Sequence, residues 1–224
     1  VDAVLSPAKV AYREKIKKTV QAHGRHKKQT GGSGQFGDVW VRFEPQEEQD
    51  ELIFAEEVFG GSVPRNFYPA VEKGIQEAVQ KGPLAGYPMV GLKAVLYDGS
   101  YHPVDSNEMA FKLAAILAFK EAMPNAMPTI LEPIGSLKVT IPDAYMGDIN
   151  GDLSKRRGRV MGMEPSGDGN TTIEAEVPMA EMSTYAIDLR AMTQARGFFS
   201  LTFERYEEVP KANQAKIIEE SKND

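Results

Sequence analysis

The stretch "GGSGQFGDVW", residues 31–40, decides between two very different folds for this chain. Gly32, Gly34 and Gly37 match the pattern G-x-G-x-x-G of dinucleotide-binding loops and of kinase glycine-rich loops. In a dinucleotide-binding loop a helix must follow, because the pyrophosphate binds at the helix N-terminus. Here the β-branched and aromatic run from Val39 to Phe43 predicts a strand instead. The glycines therefore predict a hairpin and not a dinucleotide site.

A kinase glycine-rich loop does lie in a hairpin, but the motifs that accompany it are missing from this sequence. There is no V-A-I-K lysine, no H-R-D catalytic loop and no D-F-G aspartate. The P-loop pattern G-x-x-x-x-G-K-[ST] is absent as well. We therefore expect this chain to have no enzymatic activity of its own and no cofactor.

Composition limits the class of protein further. The 224 residues fit two domains of ordinary size. No apolar run approaches the ~20 residues of a membrane-spanning helix, so we expect a soluble protein without a membrane partner. The absence of cysteine excludes disulfides and thiolate sites and fits a cytoplasmic location. The three histidines, His23, His26 and His102, are too few to predict a metal site.

Positive charge is concentrated near the start of the chain, although the net charge is −6. Between Lys9 and Lys28 lie eight cationic side chains, opposed only by Glu14. A basic stripe attracts phosphate groups whatever the total charge, so the segment is a candidate nucleic-acid contact. The alternative is a strand with a solvated face, and charge alone leaves both interpretations open.

The first half of the chain has the pattern of a mixed α/β domain. Asp98-Gly99 predicts a tight turn, and Asp105 and Glu108 have capping-box spacing before a helix. Pro124 and Pro128 form a stiff connector, where we place the domain boundary. The predicted elements are strands over 10–29, 39–43 and 92–97 and helices over 67–81 and 106–122.

The second half has the element order βαββαβ, which predicts a ferredoxin-like fold. Its first helix ends in Lys155, Arg156 and Arg157, where cations favour the negative end of the helix dipole, and Gly158 is the expected C-cap. A tail helix follows from Lys211. The predicted strands cover 131–141, 159–163, 171–177 and 198–206, and the helices 142–157 and 180–194.

Two turns in the first half present hydrogen-bonding side chains. The glycine hairpin carries Gln29, Thr30, Ser33 and Gln35, and the second turn, from Asp98 to His102, offers a hydroxyl, an aromatic ring and an imidazole. A turn without bulky side chains can approach another backbone closely. Glutamine and serine can bond to riboses, phosphates and base edges. Composition leaves open whether these turns contact RNA or are ordinary hairpin ends.

Long stretches of the chain resemble elongation factor G, the ribosomal translocation GTPase, or its elongation-factor-G-like paralogue. The similarity is collinear from about Ser6 to Pro210. The stretches that carry it are "VAYREKI" (10–16), "GGSGQFGDVW" (31–40), "GGSVPRNFYPAVEKGIQEA" (60–78), "LAGYP" (84–88), "YDGSYHPVDSNEMAFKLA" (97–114), "LEPI" (131–134), "YMGDINGDLSKRRG" (145–158) and "VPMAEMSTYAIDLRAMTQARG" (177–197).

The resemblance implies an α+β chain made of the family's fourth and fifth domains. The first would be an elongated domain with hairpin tips, like domain 2 of ribosomal protein S5, and the second the ferredoxin-like domain. We expect 1–9 to be a remnant of a preceding domain, 10–128 the tip domain, 129–210 the ferredoxin-like domain and 211–224 a C-terminal helix and tail. The parent would be a longer GTPase that holds GTP and Mg²⁺ in an N-terminal domain absent here.

The resemblance also implies a monomeric protein whose partners are the ribosome, transfer RNA and messenger RNA. The tip would enter the small-subunit decoding centre and promote translocation, while the ferredoxin-like domain would lie near the large-subunit stalk base. The tip residues would be Gly31, Gly32, Ser33, Gly34, Gln35, Ser100, Tyr101 and His102; the basic approach strand Arg25, His26, Lys27 and Lys28; and the candidate large-subunit RNA contact Lys155, Arg156 and Arg157.

The first turn departs from the usual family pattern S-G-G-R-G-Q-Y-G-H at Thr30, Ser33, Phe36 and Asp38. The missing arginine removes a bidentate contact that serine does not replace. The residues at these positions resemble the elongation-factor-G-like paralogue more than the main translocase. The alternative function is therefore a paralogue that acts in ribosome recycling, rescue or antibiotic protection without full translocase activity.

Two functions of other classes remain as alternatives. One is an enzyme that uses His102, Asp98 and Asp105 as acid–base groups, which the missing nucleophile and cofactor loop disfavour. The other is a plain RNA-binding scaffold, which the presence or absence of an upstream P-loop domain would distinguish.

Overall fold

A computed structural model describes residues 10–29, 32 and 34–224 of the chain. The chain divides into two compact units. The tip unit comprises Arg13–Ile130 together with Val209–Asp224, and the ferredoxin-like unit comprises Leu131–Glu208 together with residues 10–12. The α+β, two-domain class predicted from the sequence is confirmed.

The tip unit is built on a four-stranded sheet with the order β2-β3-β5-β4. β3 pairs antiparallel with β2 and β5, and β4 pairs parallel with β5. The elements of the unit are β1 (Arg13–Lys15), β2 (Val20–Lys28), β3 (Gln35–Pro45), β4 (Ile53–Glu56), α1 (Tyr68–Ala78), β5 (Leu92–Ser100), α2 (Glu108–Ala122) and α5 (Lys211–Ser221).

One face of this sheet packs against α2. The inward side chains of β3, Val39, Val41 and Phe43, are completely buried in a core shared with α1 and α2. Alternation along β3 places polar or aromatic side chains on the opposite face, as expected for a sheet with one buried face.

The glycine pattern serves this packing. A Cβ atom on Gly37 would lie 2.4 Å from the backbone oxygen of Ala110 in α2, and one on Gly24 would lie 1.9 Å from that of Ala114. Any side chain at either position would push the helix off the sheet. The last glycine of the G-x-G-x-x-G pattern is therefore required for close helix–sheet contact.

The N-cap of α2 differs from the predicted capping box. Asn107, not Asp105, caps the helix, because its side-chain oxygen accepts a hydrogen bond of 2.8 Å from the Ala110 N–H. Asp105 lies outside the helix, so its carboxylate can contact the neighbouring turns. That difference matters for the site described below.

The C-terminal helix α5 packs within the tip unit. The Gln214 side chain donates to Thr129 Oγ1 (2.8 Å) and to the Val209 carbonyl (2.7 Å) and accepts from the Ile130 N–H. One glutamine thus ties α5 to the strand that leaves the tip unit. Interior polar groups of this kind are stabilising only when paired, as they are here.

The ferredoxin-like unit contains β6 (Thr129–Pro142, which begins in the tip unit), α3 (Met146–Lys155), β7 (Arg159–Pro165), β8 (Asn170–Pro178), α4 (Tyr185–Thr193) and β9 (Phe198–Glu208). Its strands have the order β9-β6-β8-β7 with antiparallel neighbours. Ile149 and Leu153 of α3 and Tyr185 and Leu189 of α4 pack on one face of the sheet in a second core. This arrangement confirms the predicted βαββαβ unit.

None of the helices in the described part of the chain combines the length and the apolar character that a bilayer-crossing helix needs.

Candidate nucleic-acid interface

The two predicted turn regions lie side by side at one end of the tip-unit sheet. The tight turn predicted at Asp98-Gly99 is wrong, because both residues pair with β3 inside β5 and the chain turns at 103–105 instead. The Phe36 N–H donates to the Asp105 carbonyl (3.0 Å). The Ser106 hydroxyl donates to the Phe36 carbonyl (2.9 Å) and accepts from the His102 N–H (2.8 Å). One serine therefore joins the strand that follows the first turn to the backbone of the second.

His102 is presented to solvent beside the first turn. Its side chain is 55% exposed, and its Nδ1 lies 3.5 Å from a carboxylate oxygen of Asp105. Its ring centroid is 6.3 Å from that of Phe36. The imidazole is therefore accessible, while its neighbours restrict where it can point.

Gly34 lies directly against the Asp105 carboxyl group, and a Cβ atom at this position would approach the Asp105 Cγ to 3.1 Å. Asp105 thus packs against both turns. Gly32 is exposed, and a Cβ atom there would meet open space. The predicted contacts Gly31 and Ser33, with Thr30, lie outside the described residues.

Gln35 has a partner that the sequence did not reveal. Its side-chain oxygen lies 2.9 Å from His26 Nε2, and β2 brings Lys28 opposite Gln35 in the register. His26 was predicted as part of the basic approach strand. In the structure its side chain instead orients Gln35. The pairing of His26 with Gln35 follows from the register of the hairpin strands. The sequence does not determine that register, because it does not fix the length of the turn.

The cations at the end of β2 differ in their partners. Arg25 lies over the Phe36 ring, with its guanidinium carbon 5.3 Å from the ring centroid, and its Nε lies 4.0 Å from a carboxylate oxygen of Asp38. Lys27 and Lys28 are exposed and have no carboxylate partner among the described residues. Ser100, the last residue of β5, and Tyr101, which follows it, are both exposed. Accessible lysine cations therefore lie next to the two turn regions, 31–35 and 100–105, which we call the paired turns.

The basic end of α3 has a different character. Arg156 donates to Asp152 (2.8 Å), to Asp188 (2.6 Å) and to the Glu181 carbonyl (2.8 Å), and its guanidinium carbon lies 4.9 Å from the centre of the Tyr185 ring. Burial lowers the pKa of Arg156, but the hydrogen bonds to its carboxylate partners outweigh burial and raise it. This arginine fastens α3 to α4.

Arg157 forms a bidentate pair with Glu132 of β6, with distances of 2.8 and 2.9 Å, and Glu132 is only 2% exposed. The hydrogen bonds to Glu132 raise the pKa of the Arg157 guanidinium. The structure thus commits both arginines of the candidate large-subunit contact to partners inside the unit. Lys155 is exposed and has no partner among the described residues.

The cap of α3 also differs from the prediction. Arg157, not Gly158, adopts the left-handed conformation, with φ of 59°. The bonds from Gly158 N–H to Leu153 O (2.8 Å) and from Arg157 N–H to Ser154 O (3.2 Å) form a Schellman motif. Gly158 is needed for space, since a Cβ atom there would lie 2.9 Å from the Leu153 oxygen.

In the part of the chain that the structure describes, no three acidic or histidine side chains are grouped so that they could hold a metal ion.

Comparison with known proteins identifies both units. Residues 8–127 match the family model described as elongation factor G, domain IV, and residues 129–217 match the elongation factor G C-terminus. The chain is 49% identical over its whole length to an elongation factor G-like protein of Thermotoga maritima. A crystal structure of a Thermus thermophilus protein superposes on 98% of the chain with a TM-score of 0.83 and 46% identity.

The chain spans about a third of the length of each of these two proteins, 33% in both cases. The matches to the two family models together leave few residues unassigned. They confirm the family that the sequence resembled. The chain belongs to the elongation factor G family and carries the domain IV and the C-terminal domain of that family.

Proposed function

We propose that this chain is the ribosome-entering part of a translational GTPase, and that it promotes movement of transfer RNA and messenger RNA by inserting its paired turns into the decoding centre. The parent protein would act in the cytoplasm as a monomer, and its GTP and Mg²⁺ would be bound by a domain outside this chain. The family membership of both units supports this proposal.

The observation that carries the proposal is the Ser106 bridge between the two turns. The tip must compete for hydrogen bonds with the codon–anticodon duplex and its surroundings. Donors and acceptors held in one arrangement lose less conformational entropy on binding than mobile ones. Through Ser106, the backbone of the His102 turn is fixed to β3, so the exposed imidazole is aimed before any RNA arrives.

The exposed cations beside the tip support the same role. Lys27 and Lys28 are exposed on the strand that leads to the first turn. Lysine side chains near phosphates release condensed counterions on binding, so the attraction weakens as salt increases. They would supply affinity for RNA, while the turns would supply the specific contacts.

The test is the His102→Ala substitution in the full-length parent protein. We expect slower single-round translocation with GTP hydrolysis nearly unchanged, because the imidazole contacts RNA and the GTPase site is elsewhere. Val104→Ala is a matched control, since Val104 lies in the same segment, is exposed and offers no hydrogen-bonding group. Translocation as fast as in the unmodified protein would refute the role of His102.

One observation favours a second candidate, a paralogue that acts in recycling, rescue or antibiotic protection. The relative that is 49% identical carries the name elongation factor G-like protein. Asp38, one of the departures from the usual loop, is buried and bonded to His23 and therefore presents little surface to RNA. Complementation of cells depleted of the main elongation factor G by the full-length protein would distinguish the two: growth supports the translocase, and no growth supports the paralogue.

A further inference from the structure

The outer face of the tip-unit sheet, opposite α2, carries a row of three aromatic rings. We propose that these rings, His23, Trp40 and Tyr97, form a second RNA contact that stacks on unpaired bases of a single strand. We call them the ring row. The proposal rests on the RNA-binding function proposed above and adds a site separate from the paired turns.

The ring row crosses three adjacent strands. His23 of β2 lies opposite Trp40 of β3, and their rings are stacked with centroids 4.5 Å apart and planes 15° apart. Tyr97 of β5 follows, with its centroid 6.5 Å from that of Trp40 and a tilt of 44°. The row is continuous, because each ring contacts the next.

The rings are both accessible and held in place. Trp40, the central ring, remains 39% exposed. His23 Nε2 lies 2.9 Å from an oxygen of Asp38, which is only 8% exposed. A buried carboxylate thus fixes the imidazole against the indole. The alternative is that these rings only stabilise the sheet, as cross-strand aromatic pairs do in general. That role would not require a histidine held by a buried carboxylate or an indole as exposed as Trp40.

Charge around the ring row is polarised across the sheet. On the β2 side lie Arg25, whose side chain is 52% exposed, and Lys27. On the other side lie the Arg42–Glu57 pair and exposed Asp98, which is opposite Trp40 in the register. A strand of RNA would therefore place its phosphates along β2 and its bases over the rings.

This combination selects single-stranded RNA as the occupant. His23 covers one face of the Trp40 indole, and the parts of the rings that stay exposed can stack on unpaired bases of any sequence, while neighbouring cations attract the backbone. In a duplex the bases are already stacked on each other, so a duplex can use only the cations. The polar residues that border the rings argue against an apolar protein partner, because the cores of such interfaces are depleted in charge.

Trp40 is the only tryptophan of the 224 residues, so its fluorescence reports on this face alone. We expect a single-stranded RNA of about ten nucleotides, added to the full chain, to quench this fluorescence, and a blunt-ended duplex formed from the same strand and its complement to quench it much less. Equal quenching by both RNAs, or none by the single strand, would overturn the proposal.

Affinity measured with fluorescently labelled RNA provides the second readout. Trp40→Ala should weaken single-strand binding by about 5- to 150-fold, the range for the loss of one stacking ring. Phe203→Ala is the matched control, since it removes an exposed ring from the other unit. If Trp40→Ala binds within about twofold of the unmodified chain, the change is smaller than the contribution of one stacked base, and the proposed contact is wrong. That result would not affect the translocation test of His102.

Tyr97 distinguishes stacking from mere folding damage. Tyr97→Phe keeps the ring and should bind single strands as the unmodified chain does, whereas Tyr97→Leu keeps apolar bulk and should bind them more weakly. If both variants lose binding to the same extent while their circular dichroism is unchanged, a contact by the hydroxyl replaces stacking and the proposal is wrong.

Discussion

The two basic segments of the molecule, Arg25 to Lys28 at the end of β2 and Lys155 to Arg157 at the end of α3, look alike in sequence. Each is a short run of cations that the resemblance assigns to RNA. In the folded protein, Lys27 and Lys28 are exposed and unpaired among the described residues. Arg156 and Arg157 instead hold elements of the ferredoxin-like unit together through carboxylates.

The difference shows that a run of cations does not identify an RNA contact until it is known whether carboxylates elsewhere in the fold pair with them. The partners of Arg157 and Arg156 include Glu132 and Asp188, which lie 25 and 32 residues away in sequence. Arginine also suits such sites better than lysine, because its planar group forms bidentate pairs. The β2 segment is rich in lysine, and its exposed lysines have no such partners in the part of the chain that the structure describes.

The largest effect should come from breaking the Arg157–Glu132 pair. Arg157→Ala leaves the buried Glu132 carboxylate without its partner, which costs about 3–5 kcal/mol in comparable sites. The measurement is urea unfolding followed by circular dichroism. Trp40 fluorescence, which reports on the tip unit, should show an unchanged transition.

A matched variant sharpens that result. Arg157→Gly removes the same guanidinium but relieves the left-handed backbone, so it should be less destabilised than Arg157→Ala by about 1 kcal/mol. If either variant unfolded within about 0.5 kcal/mol of the unmodified protein, as an ordinary surface substitution does, Arg157 would not be structural and the contrast with Lys27 and Lys28 would disappear.

A smaller effect is expected at the other segment. Lys27→Ala with Lys28→Ala should leave stability nearly unchanged, because both side chains are exposed, but should weaken binding of the chain to ribosomes. The logarithmic salt dependence of the binding constant should become shallower by about 0.7 to 0.9 per lysine. Arg156→Lys is the control and should leave that slope as it is. An unchanged slope in the double variant would show that these lysines do not contact phosphate.

The smallest effect concerns Tyr185, whose ring lies under Arg156. Burial raises the pKa of its hydroxyl to about 12, whereas a tyrosine in an unfolded chain titrates near 10. The folded state thus binds this proton more tightly, so the stabilisation is complete below pH ~10 and is lost as the pH rises towards ~12.

Tyr185→Phe should abolish this alkaline loss. Because the hydroxyl has no hydrogen-bond partner among the described residues, the variant should also be more stable at neutral pH, by about 1 kcal/mol. Unfolding curves for both proteins at neutral pH and across pH ~10 to ~12 provide the measurement. Parallel pH profiles would show that Tyr185 does not titrate in the folded unit.

Much of the architecture followed from the sequence because its signals are local. Alternation along Thr171–Val177 and Phe198–Phe203 predicted two strands, and the order of elements predicted the ferredoxin-like unit. The expected buried face holds for Thr171–Val177 but not for β9, where Phe203 is 55% exposed. The strand after the glycines excluded a dinucleotide loop. The predictions were wrong at two helix ends. Asn107, not Asp105, caps the N-terminus of α2. Arg157, not Gly158, takes the left-handed conformation after α3.

The candidate site was predicted in part. The sequence placed His102 and Gln35 in separate turns, but the serine that joins the turns and the histidine that holds Gln35 emerged only from the fold. The ring row had no sequence signal at all, since its members are 17 and 57 residues apart along the chain. Register and bulges decide such neighbours, and both depend on long-range packing.

By itself, the sequence determined most of the elements, their order and the family, because periodicity, glycine placement and collinear similarity are properties of short segments. It did not predict β4 or the break between β1 and β2. Only the tertiary structure decided which cations remain available to RNA. Availability depends on carboxylates that folding brings from distant segments, and a guanidinium held in a buried pair has lost both its water and its freedom to bind elsewhere.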